Sequence, residues 1–227
     1  MRKLFLIVFF FTMSLNLFGQ ITHTLVGHLG VTQTVYYSSI PQSKSYSSHF
    51  LPQFGLDYAK ISDNLFWGGI GIGYNPRSMT LHKYNDGTKT GLKFPEIWFR
   101  VKAGLKFESD FLTHLPHISL GVSRTGSQTQ YISSYDNPST PYIYNVTDTT
   151  LKFKKIQPFI ELGNTILNSS FRIDKRNLLM TFGIRYYPLA VFSSPMEFEY
   201  EDQMFKQIQY KIVELYFTAG IQQNFHK

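Results

Sequence analysis

The sequence predicts an all-β fold: an eight-stranded antiparallel up-and-down transmembrane β-barrel behind a cleaved signal peptide. Three observations predict it. A two-faced strand pattern recurs along the chain, an export signal opens it, and the connections alternate between long and short. The strand pattern is clearest over residues 92–107. One parity reads Ile97, Phe99, Val101, Ala103, Leu105 and Phe107; the other reads Glu96, Trp98, Arg100, Lys102, Gly104 and Lys106. That is the period of a strand with one apolar and one charged face. If the apolar face meets lipid, the charged face lines a polar lumen.

Residues 1–20 read as the signal peptide and 21–227 as a single barrel domain. Arg2 and Lys3 form a basic start, Leu4 to Phe11 an unbroken apolar run, and Gly19 a small residue for cleavage beside Gln20. A retained helical anchor is the alternative, but the run is short for a span of roughly 20 residues and polar groups break it.

Eight strands follow in order. The first covers 22–37, with Leu25, Leu29, Val31 and Val35 opposite Thr24, His28, Thr32 and Thr34. The second covers 49–60, with Phe54, Leu56 and Tyr58 against Gln53, Gly55 and Asp57. The third covers 65–78, with Phe66, Ile70, Ile72 and Tyr74 against Gly69, Gly71 and Gly73. Residues 92–107 are the fourth. The fifth, 117–125, turns Ile118, Leu120 and Val122 outward. The sixth, 152–165, sets Ile156, Ile160 and Leu162 against Gln157 and Glu161. The seventh, 177–188, sets Leu178, Met180, Phe182, Ile184 and Tyr186 against Thr181, Gly183 and Arg185. The eighth, 208–225, sets Val213, Leu215, Phe217, Ala219 and Ile221 against Glu214, Tyr216, Thr218 and Gly220.

An even strand number brings both termini to one side, the periplasmic side of an outer-membrane barrel. The connections 38–48, 79–91, 126–151 and 189–207 are long or polar, whereas 61–64, 108–116 and 166–176 are shorter on the whole. Proline agrees, because it lacks the ladder donor and belongs near strand ends. Most prolines fall on the long-loop side; Pro116 alone lies among the short turns, and Pro158 marks a bulge or a later strand start.

Composition excludes several classes. With no cysteine there is no disulfide and no lipid-modified amino terminus. Without Arg2 and Lys3 the charge is +5, 20 basic against 15 acidic residues, and no dense basic run suits nucleic acid. Basic residues at a membrane rim suit anionic lipid head groups instead. Aromatics make up 17% of the chain, enough for two interfacial girdles.

The last strand carries Thr218-x-Gly220-x-x-Gln223-x-Phe225, which resembles the C-terminal signal that outer-membrane barrels show to their assembly machinery. Gln223 stands where that signal is usually apolar, and His226-Lys227 follow the aromatic. With Phe18-Gly19-Gln20, Phe94-Pro95-Glu96-Ile97 and Gln157-Pro158-Phe159-Ile160-Glu161-Leu162-Gly163, nearly the whole mature chain is similar to the small outer-membrane β-barrel family of Bacteroidota, the PorT-like group. The resemblance implies an eight-stranded barrel, and for some relatives a part in protein secretion or cell-surface processes.

The inward charges are the candidate site. Asp57, Glu96, Glu161 and Glu214 are placed to meet Arg100, Lys102 and Arg185 in the lumen. Such a mixed-sign set is either a polar conduit or a salt-bridged plug, and an eight-stranded interior favours the plug. Gly69, Gly71 and Gly73 recur at the strand period with no helix behind them, so they open space for Trp98 or Arg100 rather than cradle a phosphate. His114 and His117 flank Pro116 without a metal-ligand pattern. Ser78, His82 and Asp86 form the one trio suited to a lipid-modifying rival. The acidic-aromatic run 196–202 reads as a solvated hairpin.

The expected protein is therefore a non-enzymatic outer-membrane barrel with a filled lumen and no cofactor. Its partners would be outer-membrane lipids, the barrel-assembly machinery, and secretion components or surface ligands. A small pore or carrier, a lipid-modifying enzyme and a soluble calyx are the rivals. On this reading Val101→Lys disrupts assembly far more than Arg100→Gln.

Overall fold

The computed structural model describes residues 21–38, 45–46, 50–62, 65–83, 89–127, 129–133, 143–146, 154–173, 176–190, 196–200, 203–208 and 210–225. The signal segment 1–20 lies outside them. Eight long strands form the wall: β1 Ile21–Ser38, β2 Leu51–Ser62, β3 Phe66–Lys83, β4 Lys89–Leu105, β5 Leu112–Thr125, β6 Ile156–Ile173, β7 Arg176–Tyr187 and β8 Tyr210–Phe225. Each pairs antiparallel with its sequence neighbour. β8 then returns to β1, from His23–Phe225 to Ser38–Tyr210, so the sheet closes and no long strand keeps a free edge.

Alternation decides which face is inside. Leu29, Leu56, Ile72, Phe99, Leu120, Leu162, Phe182 and Phe217, one from each strand, all point outward and are exposed. Thr32, Asp57, Asn75, Glu96, Ser119, Glu161, Arg185 and Glu214 point inward and are buried. Soluble proteins rarely expose a continuous apolar surface of this extent. The inversion rejects the soluble calyx, whose apolar parity would face inward. It defines the fold as that of a small transmembrane β-barrel. Exposed Phe66, Phe107, Phe111 and Phe225 lie at the end that carries both chain termini, where one aromatic girdle belongs.

Several boundaries differ from expectation, and the difference shortens the turns at the termini end. β6 runs on to Ile173 and β5 begins at Leu112, so the connections at the termini end shrink to 63–65, 106–111 and 174–175. In the second of these, the Ser109 amide and hydroxyl both donate to the Leu112 carbonyl, which tightens the reversal. Pro116 is therefore inside a strand, not a turn. It sits one residue beyond the last β4–β5 pair, Gly104–His117, where that side of the strand is no longer laddered to β4. Pro158 likewise marks no break: it pairs with Val122, while β7 joins β6 only from Ile160.

At the opposite end, much of the expected loop 79–91 is strand. β3 and β4 continue past the facing prolines Pro76 and Pro95 to the pair Lys83–Lys89. Thr129–Ser133 adds to this extension of β4, and Ile143–Val146 adds to Thr129–Ser133. Met196–Tyr200 and Gln203–Ile208 form a separate hairpin over the acidic-aromatic run.

Candidate functional site in the barrel lumen

The lumen is built in three layers. Nearest the termini it is mostly apolar: Val26, Ala59, Trp67, Leu115 and Leu179 all point inward and are buried, beside buried Thr24, Thr165, Thr181 and Gln222. Trp67 anchors this layer by donating its indole N–H to the Leu105 carbonyl at 3.1 Å. The cavity among these residues is about 20 Å³, room for roughly one water. The lumen expected from parity was polar and filled, and this mostly apolar seal is a part of it that was not foreseen. Its signal was present, because each member shares its strand's inward parity.

Above the seal lies a continuous chain of eight charges that alternate in sign. Lys102 Nζ lies 2.7 Å from Asp57 Oδ2, and Arg100 reaches the same oxygen at 2.9 Å. Arg100 extends to Glu161 Oε1 at 2.6 Å. Arg185 bridges Glu161 at 2.9 Å and Glu214 at 3.1 Å. Arg77 closes the chain, 2.9 Å from Glu214 and 2.6 Å from Glu96. Four cations thus meet four carboxylates, and all eight are buried. A charge in such a place is tolerated only with opposite partners at hydrogen-bonding range. Alternation provides them, since every interior member of the chain touches two charges of opposite sign.

Neutral groups occupy further lone pairs of Glu96, Glu161 and Glu214. The Tyr187 hydroxyl donates to Glu96 at 3.2 Å and lies 3.3 Å from Glu214 Oε2. Asn75 and Thr34 donate to Glu214 Oε1, Thr32 donates to Asn75, and Ser119 donates to Glu161. His28 and His117 stand 3.4 Å and 3.6 Å from Asp57 and Glu161. Aromatic faces cover the guanidinium planes: Arg185 lies 4.6 Å from the Phe159 centroid and 5.0 Å from Trp98, and Arg77 lies 4.3 Å from Tyr187. The third layer holds Tyr36, Phe94, Tyr187 and Ile212, all buried.

Bulk on this scale needs space, and inward glycines supply it. A Cβ on Gly73 would come within 2.1 Å of the Trp98 ring, and one on Gly121 within 2.1 Å of Phe159. A Cβ on Gly71 would meet Asp57 first and the Arg100 Nε at 3.3 Å. Gly73 therefore opens room for Trp98, and Gly71 for Asp57 and Arg100, whereas a Cβ on Gly69 would meet the Tyr58 carbonyl and Ala59 instead.

The structure brings Asp57, Glu96, Arg100, Lys102, Glu161, Arg185 and Glu214 into one contiguous chain. Sequence reasoning missed Arg77, the fourth cation. The parity set by Gly69, Gly71 and Gly73 leads straight to it, and the imbalance of three cations against four carboxylates was a second clue. At the chain end, Thr218 is buried inward, Gly220 lies beside His28, and Phe225 is exposed at the end of β8. His114 and His117 do not form a pair: His117 points into the lumen, while His114 has the opposite parity and lies 3.4 Å from Asn164. Ser78 is half-buried on the outward parity of β3; the His82 side chain and Asp86 lie outside the described residues.

No protein-family model matches the chain. No curated protein matches it either. Among solved structures it is similar to the outer membrane protein OprG from Pseudomonas aeruginosa, at 8% identity and a TM-score of 0.48, over 92% of this chain and 97% of that one. It is similar to Ail, the attachment invasion locus protein of Yersinia pestis, solved with the heparin analogue sucrose octasulfate, at 11% identity and a TM-score of 0.42, over 88% and 99%. It is also similar to the outer membrane protease OmpT from Escherichia coli, at 7% identity and a TM-score of 0.40, over 91% and 97%.

Proposed function

We propose that this chain is a non-enzymatic, non-conducting barrel of a bacterial outer membrane, with both termini in the periplasm. With its lumen closed, its task falls to the surface: support of secretion, binding of surface ligands, or envelope structure. The observation that carries this reading is the filled lumen, an alternating charge chain stacked on an apolar seal. An unbroken row of ion pairs leaves no hydrated path for a solute, and a small barrel has little room beyond its side chains. The outer-membrane placement draws support from the apolar outer wall, and from short turns at the termini end against longer connections after β1, β5 and β7 at the other. The sequence resemblance to the PorT-like group favours secretion or a surface process among the three tasks. Thr218, Gly220 and Phe225 serve as the signal read by the barrel-assembly machinery.

Planar-bilayer recording of the purified barrel tests the central claim. The expected trace is a closed membrane; large, stable channels would overturn the plug and favour a pore or carrier. Cell fractionation should place the protein with the outer membrane. Single replacements of Ser78, His82 and Asp86 probe the enzymatic rival, and loss of a lipid-modifying activity in any of them would overturn the non-enzymatic reading.

A further inference from the structure

The lipid-facing wall carries a dent. A groove of about 810 Å³ runs over the outer surface where β7, β8, β1 and β2 adjoin. Gly27 and Ala219 form its floor, and Leu29, Phe54, Leu178 and Ile221 stand around it. Gly27 differs from the inward glycines, because a Cβ built on it meets nothing within 4 Å. A glycine inside a strand weakens it and often marks close approach of a ligand. Here it faces outward over open space.

The groove has a polar end. Arg176 and Gln223 line it at the termini side, exposed, with Arg176 Nε donating to Gln223 Oε1 at 3.0 Å. Gln223 pairs with Leu25, and Ala219 with Leu29, so the apolar trough extends four residues from the polar end, roughly 13 Å along the strands. Arg176 makes no ion pair among the described residues, and the carboxylates Asp57, Glu96, Glu161 and Glu214 on the strands all point into the lumen. A cation at the interface above an apolar trough matches one amphiphile in both parts.

We infer that this groove seats one anionic phospholipid of the periplasm-facing leaflet, its phosphate on Arg176 and an acyl chain over Gly27 and Ala219. The inference rests on the membrane placement proposed above. Native mass spectrometry of the mature barrel, released from mild detergent with phosphatidylglycerol or phosphatidylcholine of matched chains, tests it. The wild type should retain one phosphatidylglycerol per barrel. Gly27→Phe and Gly27→Leu, which add bulk to the trough from a position where a Cβ meets nothing within 4 Å, should each lower retention at least tenfold. Arg176→Gln should lower the preference for phosphatidylglycerol at least fivefold. Heat-modifiable gel mobility confirms that each variant is folded. Unchanged retention in both Gly27 variants overturns the groove, as does an unchanged lipid preference in Arg176→Gln. A wild-type dimer that Gly27→Phe dissociates also overturns it, because a second copy would then occupy the trough. A wild type that fractionates as a soluble protein would overturn the membrane reading itself; a membrane-integrated barrel indifferent to Gly27 overturns only the lipid site.

Discussion

Arg185→Met removes the link that joins the two halves of the lumen chain. The Arg185 guanidinium donates to Glu161 through Nε at 3.0 Å and through a terminal nitrogen at 2.9 Å, and to Glu214 at 3.1 Å. It is fully buried. Without it Glu161 keeps Arg100 and Glu214 keeps Arg77, but the lumen holds four carboxylates against three cations. Removing one partner of a buried pair costs about 3–5 kcal/mol, because the other charge is left uncompensated. The surviving partners hold the expected loss within that range even though two contacts go. The assay is equilibrium unfolding in urea from lipid vesicles, followed by tryptophan fluorescence. Both tryptophans, Trp67 and Trp98, line the lumen, and Trp98 lies 5.0 Å from the Arg185 guanidinium carbon. Adding Glu161→Gln to Arg185→Met restores charge balance and should recover part of the loss; coupling within such a network is about 0.5–3 kcal/mol. A loss below about 1 kcal/mol would refute the reasoning, for that is the worth of a solvent-exposed ion pair.

Three further outcomes follow from the same geometry. Val101→Lys puts a charge on the lipid face and should cost about 2–4 kcal/mol if it lies near the midplane, read from unfolding in vesicles; a neutral effect would contradict the assigned parity. Gly73→Ala drives a methyl into the Trp98 ring and against the Phe54 carbonyl, 2.5 Å away, and should cost about 1–3 kcal/mol with a shifted Trp98 emission. Phe225→Ala should lower the folded fraction recovered from outer membranes while leaving refolding of purified protein in detergent unchanged; loss in both settings would make Phe225 a packing residue rather than an assembly signal.

Much of this barrel was legible because a strand has a period of two. Once Ile97, Phe99 and Val101 fix one face, Glu96, Trp98 and Arg100 must take the other, and the same logic holds on all eight strands. Strand ends were less legible, since no change of period marks them. Leu112 to Pro116 reads as a turn until β6 is laid beside it, and Pro158 reads as a break until its partner Val122 shows that the ladder runs through. The ranking of Val101→Lys above Arg100→Gln also changes. Sequence alone could not show that Arg100 holds Asp57 and Glu161 at once, so Arg100→Gln takes one of two cations from each of two buried carboxylates and should cost about 3–5 kcal/mol, comparable to the lipid-face change.

The sequence by itself determined the strand number, the facing of nearly every side chain, and the presence of both charge signs in the lumen. Those follow from local rules: alternation, turn chemistry and proline placement. Tertiary structure alone decided which charges touch, and in what order. Lys102, Asp57, Arg100, Glu161, Arg185, Glu214, Arg77 and Glu96 come from β4, β2, β6, β7, β8 and β3, and their order around the lumen depends on the relative register of those strands and on closure of β8 onto β1. Register is a non-local quantity, set by the whole ring of hydrogen-bonded pairs at once. So is the dent at Gly27, which exists only because Ala219 and Leu178 come around the barrel to meet it.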